Sequence, residues 1–342
     1  MSAHSVGVIG AGNFGTAVAN LLAQNTHVLL YTHSQETADR IQQTDSAAGQ
    51  PLEKNISVTT DLGYLTAQCT LLFIMVPSQA FRQLLEALAP LLHPDHMLIH
   101  GTKGLDVTWP TDATVGLARR HVKTMSELIR SSTPTEHIGC LSGPTFASQL
   151  AKKQPTGAVL ASLSEAVIQQ GHQWLQGDYF HVYPRTDLLG VELCGVLKNS
   201  ISLSIGCLEG VGYDSANTKA LLLTQGLVEM TCIGKCMGTD VRSFMGLAGI
   251  GDLVATCTGP ISRNYRAGYL LAQGTKPKQL LADAAITVEG IQTVKTIYNL
   301  AMHYQLRAPI TKMMYKVLFE EYDVQEAMQQ LLSYPMHLHV EV

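Results

Sequence analysis

Little of this chain is charged. Asp, Glu, Lys and Arg make up only 15% of its 342 residues, and the formal net charge is -4. Without a basic excess there is no electrostatic footprint for nucleic acid, so nucleic-acid binding is not expected. The cysteines (Cys69, Cys140, Cys194, Cys207, Cys232, Cys236 and Cys257) are odd in number and scattered, which argues against a disulfide framework. Cys232 and Cys236 have the spacing to share a helix face. No second pair lies nearby to complete a tetrahedral zinc site, and no metal is expected. His337 and His339 read as a solvated tail rather than a ligand pair. The longest obvious apolar run, Leu71 to Val76, is far short of the ~20 residues that span a bilayer. The opening MSAHS lacks a basic stretch followed by an apolar core. A cytoplasmic location without membrane insertion is therefore expected. No period of 20–50 residues is visible, which excludes a solenoid.

What is present begins at once. Val6 to Gly15 reads VGVIGAGNFG. Ser5 to Ile9 is short and rich in valine and isoleucine, as a strand buried on both faces should be. Thr16 to Ala23 has apolar residues at helical spacing. Between them stand Gly10, Gly12 and Gly15. In a dinucleotide fold the first permits a tight turn, the second lets backbone approach a pyrophosphate, and the third lets helix pack on strand. The helix N-terminus adds free N–H groups and partial positive charge. The motif alone also fits a glycine-rich turn without ligand; the strand before and helix after favour a dinucleotide site.

The first half continues in alternation. Val28–Tyr31, Thr70–Val76, Met97–His100 and Ile138–Leu141 read as buried strands, and Ala80–Leu92 as a helix closed by Pro94. This pattern predicts a parallel sheet with helices on both faces, and ligands bound outside the carboxyl ends of its strands. The glycine turn, Val76-Pro77-Ser78, Lys103 and Ser142-Gly143-Pro144 all fall at that edge. Beyond about Asp187 helical periodicity takes over: Val191–Leu208, Thr218–Met237, Val288–Tyr304 and Ile310–Glu321. The expected division is a dinucleotide-binding domain over 1–186 and a helical substrate domain over 187–342, closing over the cofactor edge.

Three polar segments interrupt the apolar second half. In VELCGVLKN, Lys198 lies in a helix-like apolar stretch. Desolvation there lowers a lysine pKa and makes it a usable proton donor or acceptor; the alternative is a packed stem with its amine in solvent. In FMGLAGIGDLVATC, Gly246, Gly249 and Gly251 precede Asp252, which reads either as a carboxylate aimed into a site or as an ordinary helix N-cap. In GPISRNYRAG, Ser262, Arg263 and Asn264 offer a hydroxyl, a guanidinium and an amide in succession. Arginine binds phosphate through two parallel hydrogen bonds; a surface loop is the bland alternative.

Taken in order, GAGNFGTA, KGLD, SGPTFA, GVLKN, AGIGDLVATC, SRN and VEG resemble the NAD(P)-dependent glycerol-3-phosphate dehydrogenases of bacterial type, over nearly the whole chain. The resemblance implies a Rossmann-type parallel-sheet domain followed by an all-α domain, in the manner of 6-phosphogluconate dehydrogenase. It implies reduction of dihydroxyacetone phosphate to sn-glycerol 3-phosphate with NADP or NAD, for phospholipid synthesis. Lys198 then matches the general acid/base, Lys103 a second lysine touching substrate and nicotinamide region, and Asp252 the carboxylate beside Lys198. Ser262, Arg263 and Asn264 match the substrate-phosphate cluster, with Arg263 also near the cofactor. Gly143, Thr145 and Ala147 match the junction of substrate and cofactor. Asn13, Phe14, His33, Val288 and Glu289 match cofactor-contacting positions.

Some positions depart from that pattern. Phe14 replaces a more usual Trp or Tyr, Cys194 a small residue, and Gln225 an arginine. No Asp or Glu follows the second strand, where Tyr31-Thr32-His33-Ser34 stand; with Arg40 further along, this leans toward NADP(H). Two other readings stay open on the residues: a 2-hydroxyacid or 6-phosphogluconate-type dehydrogenase, and a dinucleotide sensor without catalysis. The presence of Lys198 and Lys103 opposes the second. The apolar surface expected of a helical domain suggests a homodimer.

Overall fold

The computed structural model describes residues 5–112, 115–282 and 289–334. The chain divides into two compact units. The described residues of Met1–Lys103 and Thr124–Leu188 form one; those of Gly104–Lys123 and Leu189–Val342 form the other.

The first unit holds strands β1 (Ser5–Ile9), β2 (His27–Tyr31), β3 (Ser46–Ala47), β4 (Gln50–Pro51), β5 (Ile56–Thr59), β6 (Leu71–Ile74) and β7 (Met97–His100). A short pair, β8 (Leu105–Val107) and β9 (Val122–Thr124), comes next in the chain and lies almost wholly in the second unit; the first unit resumes with β10 (His137–Ser142), β11 (Thr156–Ser162) and β12 (Phe180–Arg185). Eight of them make one sheet in the order β12-β11-β10-β7-β6-β1-β2-β5. The period of two in each strand divides its side chains between two cores. Val6, Val8, Val28, Leu30, Leu71 and Phe73 face one way, against α1 (Asn13–Leu22) and α7 (Glu165–Leu175). Ile9, Leu29, Leu72, Ile74 and Leu98 face the other, against α3 (Leu62–Gln68), α4 (Ser78–Leu88) and α5 (Met125–Ser132). The doubly covered sheet read from the alternation is therefore present. One junction differs: β11 runs antiparallel to β10. Only the four-residue α6 (Ala147–Leu150) lies between them, too little for the helical crossover that a parallel return needs. The strand β11 itself has no counterpart in the sequence reading above.

The second unit is built on α8 (Leu188–Gly210), α9 (Ala216–Met237), α10 (Asp252–Cys257), α11 (Arg263–Ala272), α12 (Pro277–Ala282), α13 (Glu289–His303), α14 (Pro309–Phe319) and α15 (Val324–Ser333). Among the described residues α8 alone is long and apolar enough to cross a membrane, but 94% of its apolar window is buried inside the protein. It is a core helix, apolar on all sides. Gly206 and Gly268 let α8 and α11 touch backbone to backbone: a Cβ at either would lie within 2.0 Å of a carbonyl oxygen on the other helix. The start of α14 has no cap of its own, and Glu229 on α9 supplies one. Its carboxylate accepts from the Ile310 N–H at 2.7 Å, the Thr311 N–H at 2.9 Å and the Thr311 hydroxyl. Burial pushes the Glu229 carboxyl up to about 7, against these hydrogen bonds, which pull it down.

The compact units break at Leu188/Leu189, two residues from the division expected at 186/187, and differ from it in one segment. The segment 104–123 folds with the helical unit, not the sheet unit. The Arg119 guanidinium donates to the Met237 carbonyl at the end of α9, and the Arg119 N–H to the Tyr304 hydroxyl. The Lys295 ammonium sits 5.1 Å from the Trp109 ring centre. These contacts join residues more than a hundred positions apart, which local pattern does not reveal.

Candidate active site

In the sheet unit, the residues singled out from sequence follow the carboxyl ends of β1, β2, β7 and β10, all parallel or linked through parallel neighbours. Gly10 ends β1 with φ +113°, a conformation that disfavours any side chain. A Cβ at Gly15 would lie 1.9 Å from the Gly10 carbonyl oxygen, so only glycine lets α1 start there. Gly12 is different: a Cβ there would meet nothing within 4 Å. The space in front of it is open, and Gly12 and Asn13 are exposed. No side chain caps α1 and no acidic residue stands in its first turn. Uncapped N–H groups facing open space suit the pyrophosphate of a dinucleotide. Phe14 packs half-buried toward Gly101 and Met75.

After β7, the Thr102 hydroxyl donates to the Val76 carbonyl at 2.6 Å, and Lys103 Nζ donates to the Gly143 carbonyl at 2.9 Å. Gly143 follows β10 with φ +137°, and its carbonyl also accepts the Thr145 N–H at 2.8 Å. Lys103, Gly143 and Thr145 are thus brought together by one carbonyl, with Ala147 opening α6 just beyond. Past β2, Thr32 is buried and His33 exposed, while the Ser34 hydroxyl accepts the Thr37 N–H and caps α2 (Gln35–Thr44). Arg40 is exposed on α2.

In the helical unit, Lys198 sits in the middle of α8 with 5% of its surface exposed. The reading in which its amine reaches solvent is therefore excluded. Nζ donates to Asp252 Oδ1 at 2.9 Å and to the Thr256 hydroxyl, and the Thr256 hydroxyl approaches the same carboxylate oxygen at 3.2 Å. Asp252 and Thr256 are also buried. Asp252 is not an N-cap: its backbone is helical, and a π-helical turn over Leu247–Gly251 runs straight into α10. That wider turn rotates α10 into register so that Asp252 and Thr256, one turn apart, present the same face to Lys198. Thr256 was missed from sequence. The signal available was the i, i+4 spacing from Asp252, which places both on one helical face.

The next residues of α8 organise the rest. The Asn264 amide donates to Asn199 Oδ1 at 2.9 Å and its carbonyl accepts the Gly290 N–H at 3.0 Å. The Ser262 hydroxyl caps α11 by accepting the Tyr265 N–H, and it pairs with the Ser202 hydroxyl at 3.1 Å. Ser202 in turn donates to the Thr256 carbonyl. Ser262 and Asn264 are thus committed to holding the start of α11, from which Arg263 projects exposed. Glu289 opens α13 beside Gly290. Val288 lies outside the described residues.

Comparison with known proteins identifies the family. Residues 5–168 match the family described as NAD-dependent glycerol-3-phosphate dehydrogenase N-terminus, and residues 187–329 its C-terminus. The chain belongs to the NAD-dependent glycerol-3-phosphate dehydrogenase family. A relative from Citrifermentans bemidjiense, named glycerol-3-phosphate dehydrogenase (NAD(P)+), is 35% identical over 339 residues, covering 97% of each chain. One of the same name from Staphylococcus aureus is 36% identical over 334 residues, covering 95% of this chain and 97% of its own. The crystal structure of glycerol-3-phosphate dehydrogenase from Coxiella burnetii superposes with a TM-score of 0.87 at 29% identity, covering 98% of this chain and all of the other. A ketopantoate reductase from Ralstonia eutropha, with a TM-score of 0.56 at 11% identity, shares the fold alone.

Two departures from the family pattern take structural form. The Cys194 thiol is buried and donates to the Ser243 carbonyl at 3.5 Å. Gln225 is buried with its Oε1 unpartnered, and nothing in the structure explains what replaces an arginine there.

Proposed function

We propose that this family member catalyses the reversible NAD(P)H-dependent reduction of dihydroxyacetone phosphate to sn-glycerol 3-phosphate, for glycerophospholipid synthesis, and works as a cytoplasmic homodimer. The observation that carries the reaction is the buried Lys198–Asp252–Thr256 cluster. When bound at the Gly10–Gly15 turn, the nicotinamide cofactor supplies or accepts the hydride. Lys198 Nζ, hydrogen-bonded to Asp252, releases a proton to the substrate oxygen during reduction and takes it back during oxidation. Thr256 fixes the direction of the Nζ protons by bridging Nζ and the carboxylate. Lys103 offers a second positive charge to the oxygen as negative charge builds on it. The Arg263 guanidinium binds the substrate phosphate through its fork of donors, with Ser262 and Asn264 setting the place from which it reaches. Asn13, Phe14, His33, Ala147 and Glu289 line the cofactor's path in this reading.

NADPH is the favoured cofactor in this proposal. No carboxylate stands between Tyr31 and Gln35 to take a ribose hydroxyl, and the exposed His33 and Arg40 are the groups this reading gives to a 2′-phosphate. The experiment is oxidation of NADPH and of NADH with dihydroxyacetone phosphate, alongside keto acids and sugar acids. Turnover with the triose phosphate, and a higher kcat/KM for NADPH, are expected. Turnover confined to keto or sugar acids overturns the substrate assignment; a strong NADH preference overturns the cofactor assignment. Light scattering of the purified protein tests the dimer.

A further inference from the structure

Five of the seven cysteines are buried; the exceptions, Cys232 and Cys236, are both partly exposed on α9. They stand four residues apart in a regular helix, so both thiols leave the same face one turn apart. Neither takes part in the Lys198 cluster or in the dinucleotide turn. Helix geometry decides what such a pair can do. At i, i+4 the Cβ atoms are roughly 5–6 Å apart. A disulfide needs about 3.5–4.5 Å, so the two cannot be joined directly without unwinding the last turn of α9. One atom inserted between the sulfurs removes the mismatch, since two bonds of about 2.3 Å each, as in a zinc–thiolate bond, span the remaining distance. Zinc itself is poorly served, because it takes four ligands, and among the described residues no group of three or more His, Cys, Asp or Glu could hold a metal. A centre content with two soft sulfurs fits.

The surroundings set the protonation state of the pair. Arg119 lies at this end of α9, where its guanidinium donates to the Met237 carbonyl, the residue after Cys236. Burial raises the Cys236 pKa, the neighbouring Cys232 adds to this, and the Arg119 charge offsets it only in part, so both sulfurs enter the exchange as thiols.

The geometry points to Cys232 and Cys236 as a two-thiol site for a thiophilic centre, the chemical class being a trivalent arsenical of one organic substituent. The step is an exchange without oxidation. Two S–As bonds form, the As–O bonding of the oxide is lost, and the two thiol protons leave with that oxygen as water. Arsenic remains trivalent throughout. The site is independent of the proposed reaction and adds a point of chemical sensitivity at the end of α9 that holds the segment 104–123.

Phenylarsine oxide tests this on the intact protein. Thiols reactive toward an aromatic disulfide reagent are counted under native conditions before and after addition. One arsenical per chain should silence two thiols, and dithiothreitol should restore both where a monothiol does not. Cys232→Ser and Cys236→Ser should each weaken binding by at least about 100-fold, the scale of a lost chelate. Unchanged turnover with dihydroxyacetone phosphate and an unchanged unfolding midpoint show that these variants are folded. Either serine variant binding as tightly as the parent would overturn the site, as would two arsenicals per chain. So would rapid formation of a Cys232–Cys236 disulfide by diamide in the native protein, because it would place the sulfurs within direct bonding reach.

Discussion

The pairing of Lys198 with Asp252 lends itself to a dissection of stability from catalysis. Both groups are almost fully buried, Lys198 at 5% and Asp252 at 1% exposure, and their contact is 2.9 Å. Removing one partner takes away the opposite charge at 2.9 Å from a group in the interior, a loss that costs about 3–5 kcal/mol in buried pairs. Lys198→Met keeps the stem length and should destabilise by that amount, because Asp252 loses its counter-charge. Asp252→Leu, close in volume, should do the same to Lys198. The double substitution removes both desolvated charges and replaces them with packed apolar atoms. The Thr256 hydroxyl then returns to the carbonyl one turn back on α10, an ordinary bond for a helical threonine. The double variant should therefore recover most of the loss, ending about neutral or more stable than the parent by about 1–4 kcal/mol. Activity follows another rule. Every variant lacking Nζ should lose roughly 10²–10⁴ in kcat, the usual worth of acid–base catalysis, however stable it is. The assays are urea unfolding followed by far-ultraviolet circular dichroism, turnover with dihydroxyacetone phosphate, and fluorescence titration of NADPH. Cofactor affinity should stay near the parent value in the double variant. A double variant no more stable than either single would refute the buried-pair energetics. Turnover near the parent rate would remove Lys198 from proton transfer.

Gly12 and Gly15 should separate in the same manner. Gly12→Ala meets open space, so it should fold normally and lose dinucleotide affinity in titration. Gly15→Ala drives a methyl into the Gly10 carbonyl and should reduce soluble yield and thermal stability. Arg263→Ala should raise KM for the triose phosphate with little change in unfolding midpoint, since Arg263 is exposed while its neighbours hold α11. Glu229 sets a pH dependence. Its carboxyl is raised from 4.5 to about 7 in the folded chain, so its contribution to stability is complete below pH 4.5 and is lost as pH rises through 7. The shift corresponds to a change of about 3 kcal/mol. Unfolding midpoints of the parent should decline across that window and those of Glu229→Gln should decline less; parallel profiles would show that Glu229 titrates normally.

The sheet was legible in the sequence because its information is local. Valine- and isoleucine-rich runs of strand length, closed by Gly10, Pro77, Gly101 and Gly143, identify buried parallel strands and the edge where ligands bind. The glycine turn could be read for the same reason: the turn, the open backbone and the close helix start each require glycine within a few residues. Lys198 was legible as an anomaly, a charge in the middle of an apolar helix. Its partner was visible too, since Asp252 stands beside a glycine cluster, but the sequence left open whether it capped a helix. What only the tertiary structure decided is everything that joins distant segments. The π-helical turn before α10 brings Asp252 and Thr256 onto the face of Lys198, and period alone does not reveal a five-residue turn among glycines. Ser262 and Asn264 spend their hydrogen bonds on Ser202, Asn199 and Gly290. The segment 104–123 joins the helical unit through Arg119, and β11 reverses against β10 because no long helix intervenes. Local preference is set by neighbours in the chain. Which buried polar group finds which partner is set by packing across it, and a single sequence carries that only implicitly.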